Sequence, residues 1–560
     1  MAGDPEEEGA LVFDLVDDDA VAAEVPSGQV SAGGPGAADG PDSVQGSSEG
    51  EESSGEPRLG GALGVRLRLL APVAAVLAIA LGTGYVLDGV REAARIERIR
   101  AVGGGVVDVS APVAELWEWQ GNVGLRGSAG EGGIAQVAAL DGLLVFVSES
   151  DLLALESATG DERWKIPLGE DPECGPAGYP GWEATATATV VCVSGPGAGR
   201  EVIAVGPDGV PSAPRALGAA DLARYGAARP GPDGTVLRAE RFGPDSALDL
   251  GDAACAPTGE CTGTVESGRG ITVRAEDAVT GAERWTVTAP FVATPAGDCT
   301  TPRNRTWAGT AGPADLDAVL DPEAFGAQIG TGRVDLYGCG ANASITAEGA
   351  LLRGVSEPGD GRIAGLTTGG YVASAHGSAT HSIVYSADGE ALESIAGSPF
   401  EASVVDGTGT LLGSDESGSG LHAYEPDGTP RWRGSSESRF VWFAAEVGET
   451  AVLLDEDGAV HGLDVTTGDE RWVWAPAERA DAAPLWAAFP YRAFTDGRQV
   501  LLHLEDEAAG ATLVSLDAAS GDLVWDAALA DLLHLRQSTS LVSVDGNLLA
   551  VTPGGVRGLG

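Results

Sequence analysis

Five strings in this chain repeat one pattern, and they constrain its fold more than any other feature. They read Ala-Thr-Gly160-Asp-Glu-Arg-Trp164, Val-Thr-Gly281-Ala-Glu-Arg-Trp285, Pro-Asp-Gly428-Thr-Pro-Arg-Trp432, Thr-Thr-Gly468-Asp-Glu-Arg-Trp472 and Ala-Ser-Gly521-Asp-Leu-Val-Trp525. A small residue and then an acid precede each turn: Ala154 and Glu156, Ala275 and Asp277, Ala423 and Glu425, Gly462 and Asp464, Ser515 and Asp517. The apolar residues ahead of the turn alternate, as in Leu152-Leu153-Ala154-Leu155-Glu156, which is the period of a strand. The acid can accept hydrogen bonds from turn N–H groups. Glycine supplies the positive φ that branched residues avoid. Trp then falls on the next strand, with a large face to bury and an indole N–H to satisfy. The small residue opposite leaves room for the ring. Each unit is a hairpin with one large anchor.

Spacing sets the higher architecture. Gly428 and Gly468 are 40 residues apart, and Gly468 and Gly521 are 53. A period of about 40–50 residues of short strands predicts four-stranded propeller blades. Degenerate copies at Val202–Gly209, Ile345–Gly349 and Ile383–Gly389 fill the gaps. The turn glycines are then 160, 209, 281, 349, 389, 428, 468 and 521. The two longest intervals hold Gly/Pro/Cys-rich insertions, at 243–268 and 296–335. The ends suggest closure of a ring. Three strands after Trp525 lack a Trp strand, and Glu115-Leu116-Trp117-Glu118-Trp119 is a Trp strand without a blade. A shared blade would use both and remove exposed sheet edges. Counting it gives nine candidates. With one weak copy near Gly349 or Gly389 assigned to an insertion, the expectation is an all-β propeller of eight blades over 110–560, with seven as the alternative.

The N-terminal part is different. Residues 1–57 hold 15 acids and no Lys or Arg. Such a segment has too little to bury to offset its ordering entropy, and a disordered acidic tail is expected. One apolar island, Leu11-Val12-Phe13-Asp14-Leu15-Val16, suits docking on a partner through Phe13, Leu15 and Val16, with residues 11–19 as the docking stretch. Residues 69–87 carry no charge. As a helix they would reach about 28 Å, close to the ~30 Å of a bilayer core. A single transmembrane helix is therefore expected over 66–88, followed by a short polar stalk over 89–109.

Arginines flank the span on both sides, three before it (Arg58, Arg66, Arg68) and four just after (Arg91, Arg95, Arg98, Arg100). That count slightly favours the downstream side as cytoplasmic. The cysteines oppose it. All six (Cys174, Cys192, Cys255, Cys261, Cys299, Cys339) follow the span, and none has zinc-type spacing. Disulfides imply an oxidising compartment. The expected arrangement is a cell-membrane protein with a cytoplasmic N-terminus and an extracytoplasmic propeller. Neighbouring cysteines in sequence suggest the pairs 174–192, 255–261 and 299–339, one of 15 pairings that six cysteines allow.

The repeated Ala-x-Asp-x-x-Thr-Gly-x-x-x-Trp pattern resembles the Trp-docking repeats of pyrroloquinoline-quinone-like propellers, over about residues 110–560. That family includes quinoprotein alcohol dehydrogenases and the propeller lipoprotein of outer-membrane protein assembly. The resemblance implies the fold and leaves function open, since propellers host unrelated activities. Quinoprotein dehydrogenases typically carry adjacent cysteines near the quinone. No Cys-Cys and no C-x-x-C-H haem sequence occurs here. The expectation is a non-enzymatic binding scaffold with no cofactor, a quinone-dependent dehydrogenase or an envelope ligand sensor being the alternatives. Its partner would be a protein or cell-wall ligand on a propeller face.

Other constellations point away from chemistry. His422 and His461 hold similar strand positions in adjacent units, which is a slot more readily filled structurally than by a metal without a third ligand. Asp455-Glu456-Asp457-Gly458 lacks the ligand ladder of a calcium loop and reads as a hairpin turn. Nucleic acid is excluded as a partner by a net charge of −50 and a single lysine, Lys165.

Overall fold

The computed structural model describes residues 90–560 except 124–136, 177–184, 196–198, 219–227, 245–246, 256–260, 302–318, 322, 324, 331, 353–360, 376–380, 415–419, 436–437, 476–491, 507–509, 530–538 and 553. Among the described residues no helix is long and apolar enough to cross a membrane. The expected span at 66–88, the acidic tail and its docking residues Phe13, Leu15 and Val16 lie outside the described residues.

From residue 115 onward the regular elements of the described chain are almost all strands. Nine sheets of three or more strands follow one another, spanning 137–167, 173–216, 229–289, 325–346, 361–396, 398–435, 440–474, 492–528 and 540–559. We number them one to nine. Each is an antiparallel meander, and its strands are named first to fourth in the order of the meander, which stops at three in sheet four and puts Glu115–Gln120 last in sheet nine. Two acquire an extra parallel strand beside the first: Thr185–Ala186 in sheet one and Val404–Asp406 in sheet seven.

The ninth sheet is the shared one. Glu115–Gln120 pairs antiparallel with Gly555–Leu559, with Trp119 opposite Val556. Ala114 and Gly560 exchange backbone hydrogen bonds at 2.8 and 3.0 Å. The Trp strand near the start of the propeller thus completes the three strands at its end, as its isolation in the sequence implied.

The core is a series of interfaces, one between each sheet and the next. Val190, Cys192 and Val205 of sheet two meet Leu152 and Ala154 of sheet one. Val236 of sheet three meets Val193 and Val202 of sheet two, and Val334 and Ile345 of sheet four meet Ile271 and Val273. Leu352, at the end of sheet four, packs with Tyr371 and Tyr385 of sheet five. The series continues through Leu411 and Val384, Leu412 and Phe443, Val452 and Leu502, and Leu513 and Leu548. It closes where Val542 and Leu549 of sheet nine pack on Leu144 and Leu153 of sheet one. Burial of these branched side chains, at about 25 cal/mol per Å² of apolar surface, is what holds successive sheets together.

Eight blades, or seven, were expected, and nine sheets are present among the described residues. The difference lies at Gly349 and Gly389. Both turns close sheets of their own, the fourth and fifth, so neither belongs to an insertion. All eight turn glycines mark a sheet, and the shared sheet is the ninth.

Residues 89–109, expected as a stalk, are described from residue 90. Residues 90–100 are helical. Ile99 is fully buried, and Val106, Val109 and Val113 join the core between sheets eight and nine. This arm packs on the ring.

Candidate functional site

The repeated residues form the joints of the ring. In three turns the acid binds backbone N–H groups, as expected. Asp277 accepts from Thr280 at 2.8 Å, Asp464 from Thr466 and Thr467 at 2.8 and 2.9 Å, and Asp517 from Ala519 and Ser520 at 3.0 and 2.9 Å. The turn glycines Gly160, Gly281, Gly428, Gly468 and Gly521 all have φ between 72° and 88°.

The arginine before the Trp, which the sequence reading passed over, folds back onto the same acid. Arg284 reaches Asp277 at 2.8 Å, Arg431 reaches Glu425 at 2.6 Å, and Arg471 pairs with Asp464. The Arg284 guanidinium and the Thr280 N–H together hold the Asp277 carboxyl down at about 2.

The small residue does leave room for the Trp of its own hairpin: Ala154 pairs with Trp164, Ala275 with Trp285 and Ser515 with Trp525. A Cβ on Gly462 would lie 2.1 Å from the Trp472 ring. The ring, however, docks on the turn of the following sheet. A Cβ on Gly209 would lie 2.3 Å from Trp164, one on Gly349 2.4 Å from Trp285, one on Gly468 2.7 Å from Trp432, and one on Gly521 2.5 Å from Trp472. The shared sheet does the same, since a Cβ on Gly160 would lie 2.3 Å from Trp117. Four of these indole N–H groups find a carbonyl in that next turn: Trp285 donates to Ala347 at 2.7 Å, Trp432 to Val465 at 2.8 Å, and Trp472 to Ala518 at 3.1 Å. Trp164 donates to Pro207 at 3.3 Å. The anchors therefore join sheets to each other around the ring.

The fourth strand of sheet two, Arg215–Ala216, carries no Trp, and its arginine takes that place. Arg215 lies over Gly281, and its Nε donates to the Ala278 carbonyl at 2.8 Å. Ala278 stands three residues before its turn glycine, as Val465 and Ala518 do. The rest of the guanidinium pairs with Glu276 at 3.2 Å, which is buried and also held by Arg238 at 2.8 Å. A second buried carboxylate, Glu173, accepts from Arg229 at 2.8 Å, and Arg229 also donates to the Ala327 carbonyl, so first strands of sheets two, three and four are tied together. These charges are paired, as burial requires.

The three disulfides are Cys174–Cys192, Cys255–Cys261 and Cys299–Cys339. The first bridges directly opposed residues of sheet two. The second staples a small hairpin within the connection between the second and third strands of sheet three. The third ties the chain after sheet three to the corresponding connection of sheet four. Arg241, buried beneath, donates to Arg269 and Cys339 carbonyls at 2.7 and 3.2 Å and fixes the base of both connections. Burial pushes its guanidinium below the ordinary arginine value.

The histidines are each occupied separately. His461 lies between Asp455 at 2.9 Å and Glu470 at 3.0 Å, with Phe440 edge-on. His422 meets the Tyr424 hydroxyl at 3.3 Å. Asp455 caps its hairpin by accepting from Asp457 and Ala459 at 3.0 and 2.8 Å. Among the described residues no group of three or more His, Cys, Asp or Glu could hold a metal. A quinone site of the kind implied by the resemblance would need adjacent cysteines. The pairs here are separated by 18, 6 and 40 residues, so the donor set does not fit that arrangement.

Residues 359–557 match the family model described as outer membrane protein assembly factor BamB. No curated protein gives a significant match. Among solved structures, BamB from Moraxella catarrhalis is 14% identical, with 80% of this chain and 99% of that one covered and a TM-score of 0.33. The computationally designed Ika8 protein is 12% identical, at 80% and 99% coverage and a TM-score of 0.32. Quinohemoprotein alcohol dehydrogenase from Comamonas testosteroni is 10% identical, at 80% and 76% coverage and a TM-score of 0.32. Over residues 359–557 the chain therefore carries PQQ-like propeller repeats of that family, as the tryptophan strings indicated.

Proposed function

We propose that this protein is a membrane-anchored, extracytoplasmic propeller that binds a protein or cell-wall component and has no catalytic activity of its own. Residues 66–88 form the anchor, and residues 1–57 form a cytoplasmic tail that docks a partner through Phe13, Leu15 and Val16. The observation that carries the reading is the pairing of all six cysteines, two pairs of which clamp insertions on the ring. Disulfides persist in oxidising compartments, which supports an extracytoplasmic ring. Clamped loops on a rigid scaffold are where recognition concentrates.

Lys165 makes the topology testable. It is the only lysine of the chain, and its side chain is 52% exposed beside Asp151. A membrane-impermeant amine reagent applied to intact cells should label the ring at Lys165, and Lys165→Arg should abolish that label. Labelling only after lysis would place the ring inside and refute the reading. Cross-linked pull-down with the full-length chain, with and without residues 11–19, then identifies what each side binds. A featureless visible spectrum after adding quinone and calcium is expected, and dye-linked dehydrogenase activity would overturn the non-enzymatic reading.

A further inference from the structure

The arm of residues 90–109 completes the ring at a place where the repeat cannot. The third and fourth strands of sheet nine, Gly555–Leu559 and Glu115–Gln120, come from opposite ends of the propeller sequence. No turn joins them, so Trp525 of sheet eight has no following turn glycine on which to dock. The arm supplies the acceptor instead. The Val109 carbonyl takes the Trp525 indole N–H at 2.8 Å and the Ser515 hydroxyl at 3.1 Å. Before it, Val106 donates to Thr495 at 2.8 Å and Val107 to Gly546 at 2.9 Å. The helical part is pinned as well. Arg98 pairs with Asp406 at 2.7 Å, Arg498 reaches Glu92 at 2.8 Å, and Arg95 donates to the Asp496 carbonyl.

Every one of these contacts lies at one end of the ring. Thr495–Arg498 and Gly546 lie in turns between first and second strands, and Asp406 accompanies the same turn of sheet seven, where the Gly448 N–H donates to its carbonyl at 2.8 Å. In an antiparallel four-stranded meander those turns share an end with the third-to-fourth turns, while the second-to-third connections lie at the other end. The clamped insertions occupy that other end. The connection 243–269 of sheet three holds Cys255–Cys261, and Cys339 begins the connection of sheet four.

We propose that the arm fixes the ring with its Trp-docking turns facing the bilayer and its disulfide-clamped insertions facing away from it. The inference rests on the reading of residues 66–88 as an anchor. The described helix begins at residue 90, two residues past the end of that segment, and Arg95 follows about 8 Å along it. A ring pinned so close to its anchor at one end has no slack in which to turn over.

The test uses the full-length chain in phospholipid nanodiscs that contain a headgroup spin-labelled lipid. A genetically encoded fluorescent amino acid is placed at Val210 or Val279, exposed at 65% and 50% in third-to-fourth turns, or at Leu248 or Leu250, exposed at 36% and 38% in the insertion. Quenching should be several-fold stronger at Val210 and Val279. Equal quenching at the two ends, or stronger quenching at Leu248 and Leu250, overturns the proposal. A chain that enters no disc overturns the anchor reading and the proposal with it. The double variant Arg95→Ala/Arg98→Ala, with an unchanged circular dichroism melt of the ring, should lose the difference between the ends. Persistence of the bias in that variant would show that the arm does not set it.

Discussion

The docking of each Trp on the next sheet can be separated from docking within its own hairpin by a double-mutant cycle. Trp472 is 9% exposed, sits against Gly521 of sheet eight and donates to Ala518. Trp472→Ala removes that burial and leaves a cavity, a loss of about 3–5 kcal/mol. Gly521→Ala carries two costs. Its φ of 74° disfavours any side chain by about 1–2 kcal/mol. Its new Cβ would also stand 2.5 Å from the Trp472 ring, an overpacking cost of about 1–3 kcal/mol. In the Trp472→Ala background the ring is gone and only the backbone cost remains. The two substitutions should therefore couple by about 1–3 kcal/mol, favouring the double variant over the sum of the singles. Gly468→Ala is the control. It lies in the same hairpin as Trp472, but its Cβ would meet Trp432 at 2.7 Å. It should couple to Trp432→Ala and add to Trp472→Ala within about 0.5 kcal/mol. Urea unfolding of residues 90–560, followed by far-ultraviolet circular dichroism, supplies the midpoints and slopes. Coupling of Trp472 to Gly468 in place of Gly521 would refute the inter-sheet joint.

Three further outcomes follow from the same geometry. Burial, and then the charge of Arg492, hold the His503 imidazole down at about 4, against 6.5 when exposed. The folded state therefore binds this proton less readily than the unfolded chain, and stability present above pH 6.5 falls as pH drops toward 4, by up to about 3 kcal/mol. His503→Gln should flatten that part of the pH–stability curve, and an unchanged slope would refute the assignment. Arg215→Ala should cost about 2–3 kcal/mol in urea unfolding by stripping a donor from Ala278 and a partner from Glu276, with Arg215→Lys restoring only part because lysine lacks the second arm. Equal stability of the Ala and Lys variants would argue against a Trp-like role. Replacing Cys299 and Cys339, 40 residues apart, by alanine should cost about 2–4 kcal/mol, and the Cys255–Cys261 pair, six apart, should cost less in the same melts.

What was legible in the sequence was whatever a repeat writes locally. The turn glycine, the acid and the alternating strand lie within about a dozen residues of each other, so the hairpins could be read directly, whereas their number could not, because the weak copies at Gly349 and Gly389 lack the Trp that marks a complete unit. Even the shared sheet was visible, because a Trp strand without a hairpin at one end and a hairpin without a Trp strand at the other leave complementary gaps. What a Trp docks on was not legible, because its partner glycine lies in the following repeat, 45 residues on for Trp164 and 64 for Trp285. Arg215 gave no signal at all. It sits six residues past Gly209, where the pattern would place a Trp at four, and nothing local marks it as the donor to Ala278.

The packing of the arm on the ring was not legible for a related reason. Its charges (Arg91, Glu92, Arg95, Glu97, Arg98 and Arg100) suit a solvated stalk, and only the three-dimensional placement of Asp406, Asp496 and Arg498 shows where several of them are satisfied. The buried valines Val106, Val109 and Val113 were the available clue, since a polar stalk has no use for apolar residues at that spacing. The same logic explains why the ring needs the arm. A tandem repeat can satisfy each Trp only from the turn that follows, and closing the ring by a shared sheet removes one such turn. Some other segment must then supply that carbonyl, and the segment that does so here also connects the ring to everything before residue 90. In this chain the closure of the propeller and its link to the preceding residues therefore fall to the same twenty residues.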